Sequence, residues 1–156
     1  DVLEPQEKEY LERVLKFKTT AIKTVMTPKV EIFSLPETMK IEETARLLAK
    51  KPYSRIPIVR KDGKIRGVVY AKDLLSELSA GFHQRTLKEI AKPLLYVRDD
   101  VMTDSLFRHF QKKGVHMALI VDHSNSVVGL ITLEDLVEEI VGDIFDEQDI
   151  KKRIGA

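Results

Sequence analysis

An internal repeat constrains the fold of this chain more than any other feature of its sequence. Residues 32–75 align without a gap with residues 94–137, at the offset of 62 that separates Asp73 from Asp135. Identical pairs at this offset include Lys50/Lys112, Lys51/Lys113, Ile58/Ile120, Val59/Val121, Gly67/Gly129, Asp73/Asp135 and Leu74/Leu136. Because each copy is small and has an exposed sheet face, we expect it to need its twin to complete a core.

Each copy has the same order of strand and helix patterns. The first copy predicts strands at 32–35, 56–59 and 65–70, a helix at 41–51, a turn at 61–64 and a second helix from residue 73. The second copy predicts strands at 94–97, 118–121 and 127–132, helices at 104–113 and 133–141, and a turn at 124–126. A further amphipathic helix is predicted at 7–17 from the spacing of Tyr10, Leu11, Val14 and Leu15. The predicted fold is α/β: two β-α-β-β-α units packed through their sheets, with an N-terminal helix.

The composition narrows the classes of function. The 156 residues are 43% hydrophobic and 33% charged, as is typical of a folded domain with a well-solvated surface. Lys plus Arg number 26 and Asp plus Glu 25, so a net charge of +1 provides no field that attracts nucleic acid. The absence of cysteine excludes disulfides, thiolate catalysis and cysteine metal sites. No apolar run reaches the roughly 18–20 residues that span a bilayer. Since the chain starts at Asp1 rather than at a methionine, we expect a fragment, and any membrane part of the parent protein would lie outside it.

Three motifs carry a resemblance to a known repeat. They are residues 56–59 (IPIV), residues 67–73 (GVVYAKD) and, in the second copy, residues 129–135 (GLITLED). Each copy resembles a CBS repeat, and the pair resembles a Bateman module. The resemblance implies a regulatory module that binds an adenine nucleotide, AMP or ATP, with Mg²⁺ arriving alongside ATP.

A longer combination of motifs is similar to one particular family. Residues 25–28 (VMTP), 53–57 (YSRIP) and 129–144 (GLITLEDLVEEIVGDI) are similar to the cytoplasmic part of the CorC/hemolysin-C family. In that family the CBS pair follows a membrane domain and precedes a small C-terminal domain, and both lie outside this chain. The resemblance implies a place at the cytoplasmic face of the cell membrane and a role in divalent cation transport, of magnesium or cobalt.

The resemblance also implies a division of the chain and a mode of assembly. The predicted parts are an N-terminal helix and lead-in (1–24), CBS repeat 1 (25–80), a linker (81–92), CBS repeat 2 (93–145) and a linker to a missing domain (146–156). CBS pairs commonly form homodimers through the helix after each third strand. We therefore expect Val137, Ile140 and Val141 at or near a homodimer contact.

Thr132 and Asp135 form the best local constellation for a ligand. They lie where a strand ends and a helix begins, and a helix N-terminus presents unpaired N–H groups that suit phosphate. The Thr132 hydroxyl can bond a phosphate oxygen, and the Asp135 carboxylate can accept from a ribose diol. The resembled family uses Thr and Asp of this motif in these ways. Taken alone, the same two residues are more often a helix cap.

Further residues of the predicted site come from the family motifs. Arg55 can pair with phosphate, and Tyr53 can pack against adenine or donate a hydrogen bond. Thr27 lies in an extended lead-in, since Pro28 disfavours helix at that residue, and Pro57 fixes the backbone of the pocket wall. The full set of predicted nucleotide-binding residues is Thr27, Tyr53, Ser54, Arg55, Ile56, Pro57, Thr132, Glu134 and Asp135. For Tyr53, Arg55 and Thr27 the alternatives are an edge tyrosine, a solvated arginine and a linker threonine.

The two copies are not equivalent at these positions. Tyr70 stands in the first copy where Thr132 stands in the second, and Lys92 before Pro93 aligns with Thr27 before Pro28. In the other direction, Met117 and Leu119 stand where the first copy has Arg55 and Pro57. We therefore predict one nucleotide site per chain, formed by Thr132 and Asp135 with the lead-in and the 53–57 segment of repeat 1.

Other functions receive little support from the sequence. No Ser-His-Asp pattern, phosphate-binding loop or dinucleotide fingerprint is present, so we expect no catalytic residues. The histidines (His83, His109, His116 and His123) lack metal-ligand spacing. The acidic run at 134–149 is more typical of a solvated face than of a magnesium site, and we expect no metal held by the protein. Two alternatives stay open: a purely structural dimerisation module, and an enzyme or toxin.

Overall fold

The computed structural model of this chain describes residues 2–142. The elements in chain order are α1 (Pro5–Phe17), β1 (Thr27–Pro28), β2 (Leu35–Pro36), α2 (Ile41–Lys50), β3 (Arg55–Val59), β4 (Ile65–Tyr70), α3 (Ala71–Ser79), α4 (Leu87–Ile90), β5 (Leu95–Arg98), α5 (Thr103–Lys113), β6 (Met117–Val121), β7 (Val127–Thr132) and α6 (Leu133–Val141). Short 3₁₀ turns at Ile22–Thr24 and Lys29–Glu31 flank β1.

The chain divides into two compact units. The central unit is Glu31–Leu94, and the terminal unit combines Asp1–Val30 with Leu95–Ala156. The central unit contains a three-stranded sheet of order β2-β3-β4, and the terminal unit a four-stranded sheet of order β1-β7-β6-β5. The boundary of repeat 1 predicted at residue 25 is a division of the sequence and does not coincide with the boundary of a compact unit. The units divide differently because β1, from the lead-in of repeat 1, pairs antiparallel with β7.

Both units repeat one β-α-β-β-α arrangement, which confirms the predicted fold class. β2 pairs parallel with β3 and β5 with β6, each through a helical crossover, and β3/β4 and β6/β7 are antiparallel hairpins. The bulge between Ile58 and Val59 returns between Ile120 and Val121, at the offset of the repeat. The duplication read from the sequence therefore extends to the strand register.

Each unit has its own core, and the crossover helix of each buries equivalent positions. In α2 the buried residues are Ile41, Thr44 and Leu48, and in α5 they are Thr103, Leu106 and Phe110. This i, i+3, i+7 spacing places one face of each helix on its sheet. Full burial of an apolar side chain of this size stabilises by about 1.5–3 kcal/mol.

A glycine and a proline set where these two helices end. α5 ends at Gly114, which adopts a left-handed conformation with φ of 65° and donates its N–H to the carbonyl of Phe110. A glycine is suited to this cap because it has no Cβ to clash. α2 ends just before Pro52, which disfavours helical backbone in the preceding residue.

Two local predictions are wrong. The predicted strand at 32–35 is reduced to Leu35 and Pro36, because only these two residues find a partner on β3. α1 forms as predicted, but the residues predicted as its apolar face lie exposed, namely Tyr10, Leu11, Val14 and Leu15. The buried residue of α1 is Phe17, which joins the core cluster of the terminal unit and meets Phe107 edge to face. Phe17 thus anchors the C-terminal end of α1 in the core of the terminal unit.

Candidate functional site

The junction of β7 and α6 in the terminal unit positions Thr132 and Asp135. Thr132 has extended backbone and is the N-cap of α6. Its hydroxyl oxygen accepts the backbone N–H of Asp135 at 3.1 Å, and the Asp135 carboxylate accepts the backbone N–H of Thr132 at 2.9 Å. This reciprocal pair is a capping box, and it forms because a Thr and an acidic residue stand three positions apart at a helix start. The capping alternative raised from the sequence is therefore realised.

Capping leaves hydrogen-bonding capacity on both side chains. The Thr132 hydroxyl accepts through its oxygen, so its own hydrogen can still be donated. The Asp135 carboxylate uses one of its two oxygens in the cap. Both residues are half-buried and Glu134 is exposed. The junction thus offers one hydroxyl donor and one carboxylate acceptor, the two groups that a phosphate and a ribose diol require.

β1 brings Thr27 to the same face of the sheet as Thr132. Thr27 is opposite Leu130 in the antiparallel pairing with β7, and Leu130 and Thr132 project from the same face because side chains alternate along a strand. Diagonal neighbours of this kind lie on the order of 7–8 Å apart. The lead-in residue predicted from the sequence is thus a near neighbour of Thr132.

Gly129 allows the lead-in to approach β7 so closely. A Cβ built on Gly129 would lie 2.5 Å from the Met26 sulfur and 2.6 Å from the Thr27 carbonyl oxygen. A larger residue there would push the lead-in away from the strand. The glycine of the 129–135 motif therefore serves the backbone crossing beside the site.

The equivalent junction of the central unit, between β4 and α3, has the same backbone and different side chains. Lys92 bridges Val68 through two backbone hydrogen bonds of 2.8 Å, as Thr27 pairs with Leu130. A Cβ on Gly67 would clash with the Lys92 carbonyl oxygen, as at Gly129. The alignment of Lys92 with Thr27 made on the sequence is confirmed by this pairing.

A lysine ammonium occupies this second junction. Lys92 Nζ lies 3.3 Å from Asp73 Oδ2 and 5.7 Å from the centroid of the Tyr70 ring. Tyr70 is the N-cap of α3 and makes no side-chain cap hydrogen bond. Asp73 Oδ2 is shielded from solvent and has no partner with hydrogen-bond geometry among the described residues, so the contact with Lys92 is electrostatic. The Asp73 carboxylate of repeat 1 is thus paired with a lysine of the same chain.

The 53–57 segment lies in the central unit, where its residues have unequal access to a ligand. Tyr53 is 43% exposed and precedes β3, Ser54 is exposed and Arg55 is half-buried. Ile56 is fully buried in the core cluster of the central unit and Pro57 is also buried. Tyr53, Ser54 and Arg55 are therefore the members whose side chains reach the surface. Thr27, Thr132, Glu134 and Asp135 all belong to the terminal unit.

Titration and metal geometry add little to the site. Among the described residues, the clear pKa shift is that of Asp122, in the β6–β7 turn. The Ser126 N–H is the main cause that lowers the pKa of this carboxyl below its ordinary value, and the Ser124 N–H acts in the same direction. Within residues 2–142, no three His, Cys, Asp or Glu side chains cluster as a metal site would require. The later part of the acidic run, residues 143–149, lies outside the described residues, as does the predicted linker at 146–156.

Comparison with known proteins identifies the family. Residues 22–80 and 87–142 match the family model of the CBS domain. The chain is also 36% identical to the CBS domain of a bacterial CNNM/CorC family Mg²⁺ transporter in complex with ATP, covering 88% of this chain and 99% of that one, with a TM-score of 0.81. This chain belongs to the CNNM/CorC family of CBS-domain pairs.

Two curated relatives of this CBS pair are longer proteins. The magnesium and cobalt efflux protein CorC of Vibrio cholerae is 30% identical over 150 residues, which are 96% of this chain and 52% of that protein. A DUF21 domain-containing chloroplast protein of Arabidopsis thaliana is 35% identical over 156 residues, 97% of this chain and 24% of that protein. The CBS pair thus spans between a quarter and a half of these relatives. Within residues 2–142, no helix has both the length and the apolar character needed to cross a bilayer.

Two contacts escaped prediction from the sequence. The sequence aligned Lys92 with Thr27, but it did not show that the ammonium would reach Asp73. Phe33, which was assigned to a strand, instead stacks on Tyr53 with ring centroids 4.4 Å apart and an interplanar angle of 13°. The sequence did contain a signal for the contact of Lys92 with Asp73, because these two residues of the aligned junction carry opposite charges.

Proposed function

We propose that this CBS pair is a regulatory module that binds one adenine nucleotide at the junction of β7 and α6 and performs no chemistry. The observation that carries the proposal is the difference between the two junctions. Thr132 and Asp135 retain a hydroxyl donor and a carboxylate oxygen, whereas Asp73 is paired with Lys92. The β7–α6 junction therefore offers groups that suit phosphate and ribose, whereas at the β4–α3 junction the Lys92 ammonium pairs with the carboxylate.

The proposed contacts follow from the groups that capping leaves over. The Thr132 hydroxyl donates to a phosphate oxygen near the positive end of the α6 dipole. The Asp135 carboxylate accepts from the ribose diol, whose two hydroxyls both donate. Thr27 adds a hydroxyl on the same face of the sheet, and Glu134 lies in the first turn of α6.

The 53–57 segment is proposed as a second set of nucleotide contacts. Arg55 suits phosphate by its charge, and the exposed ring of Tyr53 suits a base. Ser54 offers a hydroxyl, whereas Ile56 and Pro57 contribute backbone shape because their side chains are buried. Coupling in a double-mutant cycle between Tyr53 and Asp135 would show whether both sets bind the same molecule.

The comparisons support the ligand class and the physiological setting. A 36% identical CBS domain is known in complex with ATP, and a relative is named as a magnesium and cobalt efflux protein. We propose that the parent protein moves divalent cations across a membrane, with this pair on the cytoplasmic face and Mg²⁺ coordinated by ATP phosphates. A nucleotide that binds one arrangement of the pair more tightly would shift its population toward that arrangement, and the membrane domain would respond.

A purely structural module is the second candidate, because the capping box alone gives Thr132 and Asp135 a role. In this alternative the pair only dimerises. Val137 is 40% exposed on α6, whereas Ile140 packs against the core cluster of the terminal unit. We propose Val137 as the principal residue of a homodimer contact, with Ile140 and Val141 beside it. Sedimentation of a Val137→Glu variant tests this contact without involving the nucleotide.

Calorimetric titration with AMP, ADP and ATP, each with and without Mg²⁺, tests the nucleotide proposal. The informative variant is Asp135→Asn, because the amide oxygen can keep the cap while an N–H₂ group replaces the second acceptor. We expect one site in the wild type and an affinity about 10- to 100-fold lower in the variant, since bonds to charged groups are worth about 1.5–3 kcal/mol.

Asp73→Asn is the matched control at the other junction, and its affinity should equal that of the wild type. Thermal unfolding confirms that both variants fold. If the wild type takes up none of the three nucleotides, the structural module replaces the proposal. Equal loss in the two variants would place the ligand elsewhere.

A further inference from the structure

Phe33 and Tyr53 form an aromatic pair at the surface of the central unit. Their ring centroids are 4.4 Å apart and their planes differ by 13°, so the rings stack face to face. Phe33 is half-buried and packs against the core cluster that contains Ile41, Ile56 and Leu74. Tyr53 is the outer ring, with 43% of its surface exposed. The pair thus joins the core of the unit to a solvent-facing tyrosine.

The backbone around Tyr53 is held on both sides. The Tyr53 N–H donates to the carbonyl of Lys51 at 3.0 Å, and the carbonyl of Ser54 accepts the N–H of Ala71 at 2.9 Å. The Lys51 ammonium lies 6.0 Å from the centroid of the Phe33 ring. A ring stacked on a buried neighbour and carried by a tethered loop loses little freedom when a ligand binds.

We infer that Phe33 is a positioning residue for base recognition: by covering one face of Tyr53, it presents the other face as a preformed stacking surface for the purine of the nucleotide. This inference rests on the proposed function, because it assigns Tyr53 to the base. A planar base gains from an aromatic ring in offset stacking. That gain is larger when the ring needs no ordering, and Phe33 supplies this order without touching the ligand.

A pair of ligands separates this role from a general loss of structure. AMP carries the base, whereas ribose 5-phosphate keeps the sugar and phosphate that Thr132 and Asp135 are proposed to bind. Phe33→Leu keeps an apolar side chain against the core and removes the stacking ring. We expect it to weaken AMP binding roughly 3- to 10-fold and to leave ribose 5-phosphate unchanged.

Two further variants complete the test. Phe33→Tyr restores an aromatic ring and should return the affinity for AMP to within about twofold of the wild type. In a Tyr53→Leu background, Phe33→Leu should cause no further loss, since the two residues act through one surface. Calorimetry measures all affinities, and thermal unfolding reports the folded state of each variant.

The outcomes distinguish this inference from the proposal on which it rests. Equal weakening of AMP and ribose 5-phosphate by Phe33→Leu would mean a structural role and would overturn the inference, as would additive losses in the double variant. No effect on either ligand would also overturn it, with the Asp135 site intact. If wild-type protein binds neither ligand, the proposed function itself has failed.

Discussion

The two strand–helix junctions of this CBS pair share a backbone and differ in charge. In the terminal unit Thr132 and Asp135 cap α6 and keep a donor and an acceptor. In the central unit Lys92 reaches over the Tyr70 ring to Asp73. A lead-in segment crosses a glycine at both places, so the backbone fold alone does not distinguish the two junctions. Under the proposed function, three side-chain differences make the selection: at the cap, at the lead-in, and at Arg55 and Pro57 of repeat 1 against Met117 and Leu119 of repeat 2.

The largest expected effect tests whether the backbone crossing is equivalent at the two junctions. Gly129→Ala and Gly67→Ala each place a Cβ against the backbone of the lead-in. Overpacking of this kind costs typically 1–3 kcal/mol, so both variants should lose about that much unfolding free energy in denaturant titrations.

The two glycine variants should differ in ligand binding. Gly129→Ala should also weaken nucleotide binding, because it displaces the lead-in that carries Thr27. Gly67→Ala should bind as the wild type does. Should Gly67→Ala alone reduce affinity, the assignment of the site to the terminal unit would be wrong.

A smaller effect is expected from removing the internal cation. Lys92→Met leaves Asp73 without its ion pair, in which the side chains are 58% and 29% exposed. Ion pairs this accessible are worth about 0–1 kcal/mol, so the unfolding free energy should fall by less than about 1 kcal/mol. The affinity at the Thr132 junction should not change.

A double variant sharpens the same comparison. Tyr70→Thr with Lys92→Thr gives the central unit the Thr-x-x-Asp motif and a lead-in threonine. Calorimetry should then detect a second, weaker site, weaker because Met117 and Leu119 replace Arg55 and Pro57 at the equivalent positions. A stoichiometry that stays at one would show that the cap and the lead-in do not decide occupancy.

The smallest effect concerns the turns of the two hairpins. Position 60 is Arg in the central unit, and the equivalent Asp122 accepts the N–H groups of Ser126 and Ser124. Because these bonds lower the pKa of Asp122, its stabilising contribution is present above the ordinary value of 3.8 and is lost as pH falls through the lower folded pKa.

Thermal unfolding between about pH 6 and pH 3 measures this contribution. Asp122→Asn keeps an acceptor oxygen but no charge. The melting temperature of the variant should fall slightly less on acidification than that of the wild type. Identical pH profiles for the two proteins would contradict the assignment.

Most of the fold could be predicted from the sequence, because each strand or helix of one repeat has an equivalent in the other that supports its assignment. The strands at 65–70 and 127–132 and the helix at 133–141 have the predicted bounds, and the helix predicted from residue 73 begins at Ala71. The misplaced strand at 32–35 lies where β2 finds only two partner residues, a tertiary fact that no local pattern records. The exposed face of α1 was missed for a similar reason, since its spacing alone does not show which residues contact the rest of the unit.

The site could be predicted only in part. A motif and a proline led to the prediction of Thr132, Asp135 and Thr27 as site residues, and the pairing of β1 with β7 places Thr27 and Thr132 on one face of the sheet. The ion pair of Lys92 with Asp73 and the stacking of Phe33 on Tyr53 connect residues 19 and 20 positions apart in the sequence. Such contacts depend on loop geometry, which propensity and spacing do not determine.

The most direct test of the central claim is a nuclear magnetic resonance titration of the labelled protein with ATP, following backbone amides at both junctions. The predicted result is large, saturable shifts at Glu134 and Asp135 and none of comparable size at Lys72 and Asp73, with one ATP bound per chain. Equal shifts at the two junctions, or shifts confined to Lys72 and Asp73, would contradict the claim that the chain binds its nucleotide at the Thr132 junction alone.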